Sequence, residues 1–222
     1  AMLYSVVRFV AKGWVDELYI QPAYHFTYFG FGWVQPLGGM GMYWVFAALG
    51  ALALCIAFGF LYRLATVGFF VLFTWVELID VATYLNHYYF VSLVSLLLAF
   101  MPANRMLSID ALMRPSLRAA VTPRWTLWIL RFQIAVTYVY AGIAKLNGDW
   151  LLDAQPLRTW LRAWGHLPGI GSWLTEVWVA YLMSWGGALF DLGIVFLLLS
   201  QRWRPLGLAA ACLFHFVTGA LF

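Results

Sequence analysis

Tyr140-Ala-Gly-Ile-Ala-Lys-Leu-Asn-Gly-Asp-Trp150 closes a long apolar run, 125–144, with a single lysine and then a turn. Lys145 is one of only two lysines in the chain, the other being Lys12. A lone ammonium where a greasy helix leaves the membrane has two readings. In the plainer one the stem stays in lipid and the amine snorkels to the headgroups. In the sharper one the amine is desolvated, with no carboxylate beside it, and its neutral form acts as a base. Both stay open on position alone.

The surrounding composition sets the class. The chain is 64% hydrophobic and 10% charged, where a soluble domain carries about 25% charged residues. Such a chain is all-α, a polytopic transmembrane bundle whose apolar faces meet lipid or one another. Five runs are long enough to cross, or nearly so (43–62, 65–84, 88–101, 125–144 and 177–199), and a sixth occupies 205–222. A span needs about 20 residues, so 1–11 reads as the later part of a helix. Residues 12–42 crowd aromatics among glycines and read as an interfacial loop or re-entrant cap over a cavity. Residues 151–176, with Trp160, Trp164 and Trp173, read as an outer loop carrying an interfacial helix. Seven arginines (63, 105, 114, 118, 124, 202 and 204) fall in loops of one side, against Lys12, Lys145, Arg158 and Arg162 on the other. The positive-inside rule then puts Lys145 and the 84–88 junction on the outer side. The small net charge of +4 excludes a nucleic-acid surface. Cys55 and Cys212 give neither a disulfide framework nor zinc spacing, and no cleavable signal peptide is visible.

Ionisable residues inside spans are costly and face the bundle interior. Glu77, Asp80, Tyr84 and His87 are spaced to share one face if the third helix continues through 87. Arg131, Tyr138 and Lys145 share a face of the fifth. Counted from the inner helix ends, Arg131 is about as deep as Asp191, and Glu77 about as deep as His215. The expected pairs are therefore Arg131 with Asp191 and Glu77 with His215, and their plainer role is to hold helices together. His87, at a helix junction, reads first as a hydrogen-bonded interface residue. The four histidines lack metal-binding spacing, so no metal is expected. No nucleophile elbow or phosphate loop is present.

The motifs resemble those of the vitamin K-dependent gamma-glutamyl carboxylase family and its wider group, the horizontally transferred transmembrane (HTTM) domain. They are Asp80…Tyr84-Leu-Asn-His-Tyr-Tyr-Phe90, Leu98-Ala-Phe-Met-Pro-Ala-Asn-Arg105 with Ser108-Ile-Asp110, Arg131-Phe-Gln133, Tyr140 to Trp150, Phe190-Asp-Leu192 and Phe214-His215…Leu221-Phe222. Gly59…Tyr62-Arg63 fits the end of the family's second helix. The resemblance implies that Lys145 deprotonates vitamin K hydroquinone, that O2 addition then creates a strong base for a glutamate γ-proton, and that CO2 adds to the carbanion as the quinone leaves as its epoxide. It implies that His87 supports carboxylation and that Asn86 contributes a hydrogen bond. Tyr84, Tyr88, Tyr138, Tyr140, His25 and Phe29 are the expected quinone pocket, with the aromatic stretch 24–33 as its lid. Arg131, Asp191, Glu77, Asp80 and His215 form the expected structural polar network. The implied partners are the bilayer, the quinone and a glutamate-bearing protein or peptide. The implied location is a bacterial inner membrane with the site facing outward. The family's remaining spans and soluble domain are missing from these residues, as is most of its first helix. Quinol epoxidation is thus the narrower inference and carboxylation the broader one. The alternatives are a quinone- or lipid-handling oxidoreductase of the same fold, or a non-catalytic scaffold.

Overall fold

The computed structural model describes residues 2–221 and is all-helical among them. It divides into two compact units, 1–130 and 131–222. Among the described residues five helices are long and apolar enough to cross a membrane.

In the first unit α1 (Met2–Ala11), α2 (Gly41–Phe58), α3 (Tyr62–Ile79) and α4 (Asn86–Phe100) pack in chain order. Their core is built from Phe9, Met42, Phe46, Leu49, Phe69, Val76 and Ile79. Val15, Tyr19 and Val34 of the 12–40 connection are buried in the same core. That connection therefore packs on the helices as well as skirting the interface.

The α2–α3 turn shows what several of the quoted motif residues do. Gly59 ends α2 in the left-handed conformation (φ 61°), its N–H reaching the Cys55 and Ile56 carbonyls. A Cβ there would lie 2.3 Å from the Ser108 side chain, so glycine is required twice over. Leu61 is also left-handed, at φ 46°, an uncommon state for a branched residue. Asp110, in the short helix α5 (Ile109–Met113), holds it there. Its carboxylate accepts from the N–H groups of Leu61 (2.8 Å) and Tyr62 (2.9 Å) and from Asn104 Nδ2 (2.8 Å). Ser108 caps α5 by accepting from Ala111 N–H. Burial alone raises the Asp110 carboxyl, but the bonds from Tyr62, Asn104 and Leu61 outweigh it and hold the group below the usual carboxylate range. The Asn104…Ser108…Asp110 motif is thus an anchor for a tight turn between two spans.

The second unit contains most of α6 (Arg124–Ala144), then α7 (Gly148–Leu151), α8 (Leu157–Ala163), α9 (Gly171–Leu174), α10 (Val177–Leu199) and α11 (Arg204–Leu221). Where a single interfacial helix was expected in 151–176 there are two short ones, α8 and α9, with α7 just before them, and all three pack on α10. Leu157 and Leu161 of α8 bury against Ala180, with Ala154 and Leu221 in the same cluster. The reason is polar as well as apolar. Trp150 Nε1 donates to the Ser184 carbonyl (2.7 Å) and Trp185 Nε1 to that of Leu151 (2.8 Å). Tyr181 donates to the Leu152 carbonyl and Ser184 Oγ to that of Trp150. Indole and phenol groups half-buried in an apolar setting need such partners.

Candidate functional site

Lys145 follows the last residue of α6, and its chain folds back along that helix. Nζ meets Asp191 Oδ2 of α10 at 2.5 Å and the Ala141 carbonyl at 3.4 Å. It also lies over the Trp150 ring, 5.1 Å from the centroid, close enough for a cation–π contact. Asn147 caps α7 through Trp150 N–H (2.9 Å) and ties back to the Ala144 carbonyl (2.8 Å), which sets the turn that brings the indole over the amine. The Lys145 side chain is 20% exposed and that of Asp191 only 5%. The amine therefore has a carboxylate beside it, contrary to the expectation of none.

Asp191 was expected to pair with Arg131. The close approach of Gly142 to Leu192 shows why it does not. A Cβ on Gly142 would lie 2.7 Å from the Leu192 side chain and 3.1 Å from its N, so only glycine lets the two helices meet there. Gly142 beside Leu192 fixes an antiparallel register that puts Asp191 level with the end of α6, roughly 18–20 Å along the axis from Arg131. Depth counting failed because helix ends are not flush: the first turns of α10 stand past the end of α6 and pack on α7 to α9. Arg131 instead lines a cavity with Val195, Leu198 and Arg204. The shared face of Arg131, Tyr138 and Lys145 is nonetheless turned toward α10 and α11. The Tyr138 hydroxyl is hydrogen-bonded to His215 Nε2 at 2.7 Å, and its ring meets Phe190 edge-on. Phe190 stacks on Phe214, centroids 4.0 Å apart. In Phe190-Asp-Leu192, then, Phe190 makes a ring stack, Asp191 an ion pair and Leu192 a seat for Gly142.

In the first unit, α3 does not continue through His87. It ends at Ile79, and Asp80 is extended (φ −146°, ψ 120°). The Asp80 carboxylate accepts from Ala82 N–H (2.8 Å), while Thr83 Oγ1 donates to the Asp80 carbonyl (2.9 Å). These local bonds compete with helix continuation and start a short turn, Val81–Thr83. The expected single face of Glu77, Asp80, Tyr84 and His87 is therefore broken. Asp80 faces His25 (Nδ1···Oδ2 3.1 Å, both buried), and Val81 N–H reaches the Phe26 carbonyl (2.7 Å). His25 is an anchor of the 24–33 loop. The rings of that loop point outward: Phe29 is fully exposed, and Tyr24, Phe26 and Trp33 are largely so. They suit a membrane interface better than a pocket lining, so Phe29 is corrected from the expected quinone pocket. Tyr140 is likewise exposed on α6. In place of the Glu77–His215 pair, Glu77 accepts from Ser92 Oγ, and His215 has Tyr138.

Asn86 and His87 open α4, both exposed. His87 meets the Tyr88 ring edge-on at 4.9 Å and lines a cavity of ≈ 360 Å³ together with Tyr84, Tyr88, Tyr19, Arg8 and Glu17. Tyr19 is buried there, which pushes its phenol well above the usual range. A second, apolar cavity shares Tyr19, Tyr84 and Tyr88 with the first and is also lined by Glu77. Among the described residues no group of three metal-ligating side chains gathers.

A family model described as the HTTM domain matches residues 1–222. The chain belongs to the HTTM domain family. This is the family of the membrane core domains of vitamin K-dependent carboxylases, and the chain is a multi-pass membrane protein. No solved structure matches it. Within this HTTM chain, residue-by-residue reading overlooked Asp191 as the partner of Lys145, Trp150 as the face over its amine, and Gly142 as the contact that sets their register. The sequence held one usable signal: the single glycine of α6 stands three positions before the lysine.

Proposed function

We propose that this chain is the membrane core of a quinol-dependent enzyme of the vitamin K-dependent carboxylase type, with Lys145 and Asp191 acting together on the first proton transfer. The observation that carries the reading is the 2.5 Å contact between Lys145 Nζ and Asp191 Oδ2 at the end of a membrane span. Base action needs a neutral amine, and a proton can pass from Nζ to Oδ2 over this distance without heavy-atom movement. Asp191 then stores the proton, and the lone pair of Lys145 faces a phenolic hydroxyl. Trp150 and the Ala141 carbonyl hold the amine in place through this exchange. The partial exposure of Lys145 leaves the nitrogen reachable by a lipid-borne quinol, and an amine suits a phenolic proton. Reduced vitamin K would supply, with O2, the strong base that acts on a glutamate γ-carbon, and CO2 the carboxyl group. His87, on its own cavity with Tyr84 and Tyr88, supports the carboxylation step, with Asn86 beside it. A glutamate-bearing peptide or protein is the acceptor, and the reaction faces the outer side of a bacterial inner membrane. No step calls for a metal.

The test is epoxide formation from reduced vitamin K by the protein in nanodiscs, beside Lys145→Met/Asp191→Asn, a variant that removes the base without stranding a buried charge. Product from the wild type and none from the folded variant is the expected result. Equal turnover in both refutes the assignment of Lys145. No product from the wild type rejects the vitamin K reading in favour of a quinone- or lipid-handling protein of the same fold. Incorporation of labelled CO2 into a Glu-containing peptide separates carboxylation from epoxidation alone.

A further inference from the structure

In the first unit, Arg8 lies in the last turn of α1 and Lys12 just past its end, the Lys12 N–H closing onto the Arg8 carbonyl at 3.0 Å. Gly13 follows in the left-handed conformation (φ 72°) that favours glycine, and it reverses the chain. The reversal lays Trp14 back on α1, its ring edge-on to Phe9 at 5.1 Å. Both cations sit on that one indole: Arg8 Cζ is 5.2 Å and Lys12 Nζ 4.8 Å from its centroid. An aromatic ring holds a cation and leaves its charge whole, where a carboxylate would neutralise it. Neither Arg8 nor Lys12 makes an ion pair among the described residues. Like charges one helical turn apart repel, and the carbonyls at a helix end offset that only in part. Arg8 and Trp14 line the ≈ 360 Å³ cavity that also holds His87, Tyr84 and Tyr88. The Arg8 charge reaches the Tyr88 phenol as well as Trp14, so the guanidinium is flanked by two residues of the cavity wall. Glu17 is the one carboxylate of that wall among the described residues, and it pairs with neither cation. Two unpaired cations against one carboxylate leave a positive excess beside aromatic walls. Such a place suits a small anion on an apolar stem, and a guanidinium fork matches the two oxygens of a carboxylate.

We propose that this cavity binds the side-chain carboxylate of the acceptor, with the Arg8 fork on its two oxygens and the rings of Tyr84 and Tyr88 against its methylenes. Lys12 adds its charge across the indole, and Trp14 positions both cations. The proposal rests on the reading that His87 serves the carboxylation of a glutamate side chain, and it supplies the group that holds that side chain in the cavity of His87.

The experiment is equilibrium binding, by fluorescence anisotropy, of a labelled Glu-containing peptide and of its Gln counterpart to the full chain in phosphatidylcholine nanodiscs, with wild type, Arg8→Gln and Arg8→Lys compared. The wild type should prefer the Glu peptide by about tenfold, and Arg8→Gln should lose that preference, as expected for one charge-assisted fork. Arg8→Lys, which keeps the charge and loses the fork, should fall between them. Arg8 is exposed, so both variants should fold, and circular dichroism checks that they do. Equal affinity of the wild type for the two peptides, or an unchanged preference in folded Arg8→Gln, overturns the proposal. Equal peptide affinities together with Arg8-dependent retention of phosphatidylglycerol assign the cations to a lipid phosphate and also overturn it. Binding needs no turnover, so the two readings fail separately. A wild type that binds the Glu peptide through Arg8 but forms no epoxide upholds the site and rejects the vitamin K reaction; one that forms epoxide but does not distinguish the peptides overturns the site alone.

Discussion

Removing either partner of the Lys145–Asp191 pair should destabilise the protein, and the two removals should not be equal. Lys145→Ala strands the Asp191 carboxylate, whose side chain is 5% exposed. The cost of leaving a buried charge unpaired is about 3–5 kcal/mol. Asp191→Ala strands an ammonium on a four-carbon stem that is 20% exposed and can turn outward. Such a chain recovers part of its hydration by snorkelling, so the cost should be about 1–3 kcal/mol. Lys145→Met/Asp191→Leu removes both charges and should return to within about 1 kcal/mol of wild type. A double-mutant cycle by reversible unfolding in mixed micelles measures the coupling, expected at about 2 kcal/mol or more. Single-variant costs that simply add, with coupling below about 0.5 kcal/mol, would refute the pair as a structural element. The same logic makes Lys145→Ala alone an ambiguous test of catalysis, since it perturbs the fold and the base together.

Further outcomes follow from the same geometry. Gly142→Ala places a Cβ 2.7 Å from Leu192 and should cost about 1–3 kcal/mol in thermal unfolding. Gly186→Ala, with nothing within 4 Å, should be neutral or stabilise by up to about 1 kcal/mol. Asp110→Ala should destabilise the α2–α3 turn by about 1–2 kcal/mol at neutral pH, because Leu61 and Tyr62 lose their acceptor. The folded Asp110 carboxyl is lowered, so its contribution should be complete above the unfolded value of about 3.9 and lost as pH falls through the lowered folded value. An acid titration of stability that is the same with and without Asp110 contradicts this. Tyr138→Phe breaks the bond to His215 and should cost about 1 kcal/mol. On the proposed reaction, His87→Ala should reduce CO2 incorporation more than epoxide formation, and equal losses would make His87 part of quinol binding instead.

Sequence alone determined the membrane class, the run of apolar helices and the placing of Lys145 at a helix end. Helical spacing also settled that Arg131, Tyr138 and Lys145 share a face, and that face is the one turned to α10 and α11. These features are local: composition decides the solvent, and a 3.6-residue period decides which side of one helix is polar. What meets that face is another matter. The pairing of Lys145 with Asp191 depends on the axial register of α6 against α10, which the periodicity of each helix leaves undetermined. Gly142 seated on Leu192 sets that register, and the packing of α7 to α9 on α10 lets its first turns stand past the end of α6. Likewise the end of α3 at Ile79 rests on the bonds of Asp80 to Ala82 and His25, the second of which spans 55 residues. An apolar pattern runs straight through Asp80 and gives no sign of that long-range partner. The same contact turns His25 inward and leaves the neighbouring rings outside. Which side chains share a face is a property of one helix; which charges meet is decided by contacts between elements far apart in the chain, and only the folded structure contains them.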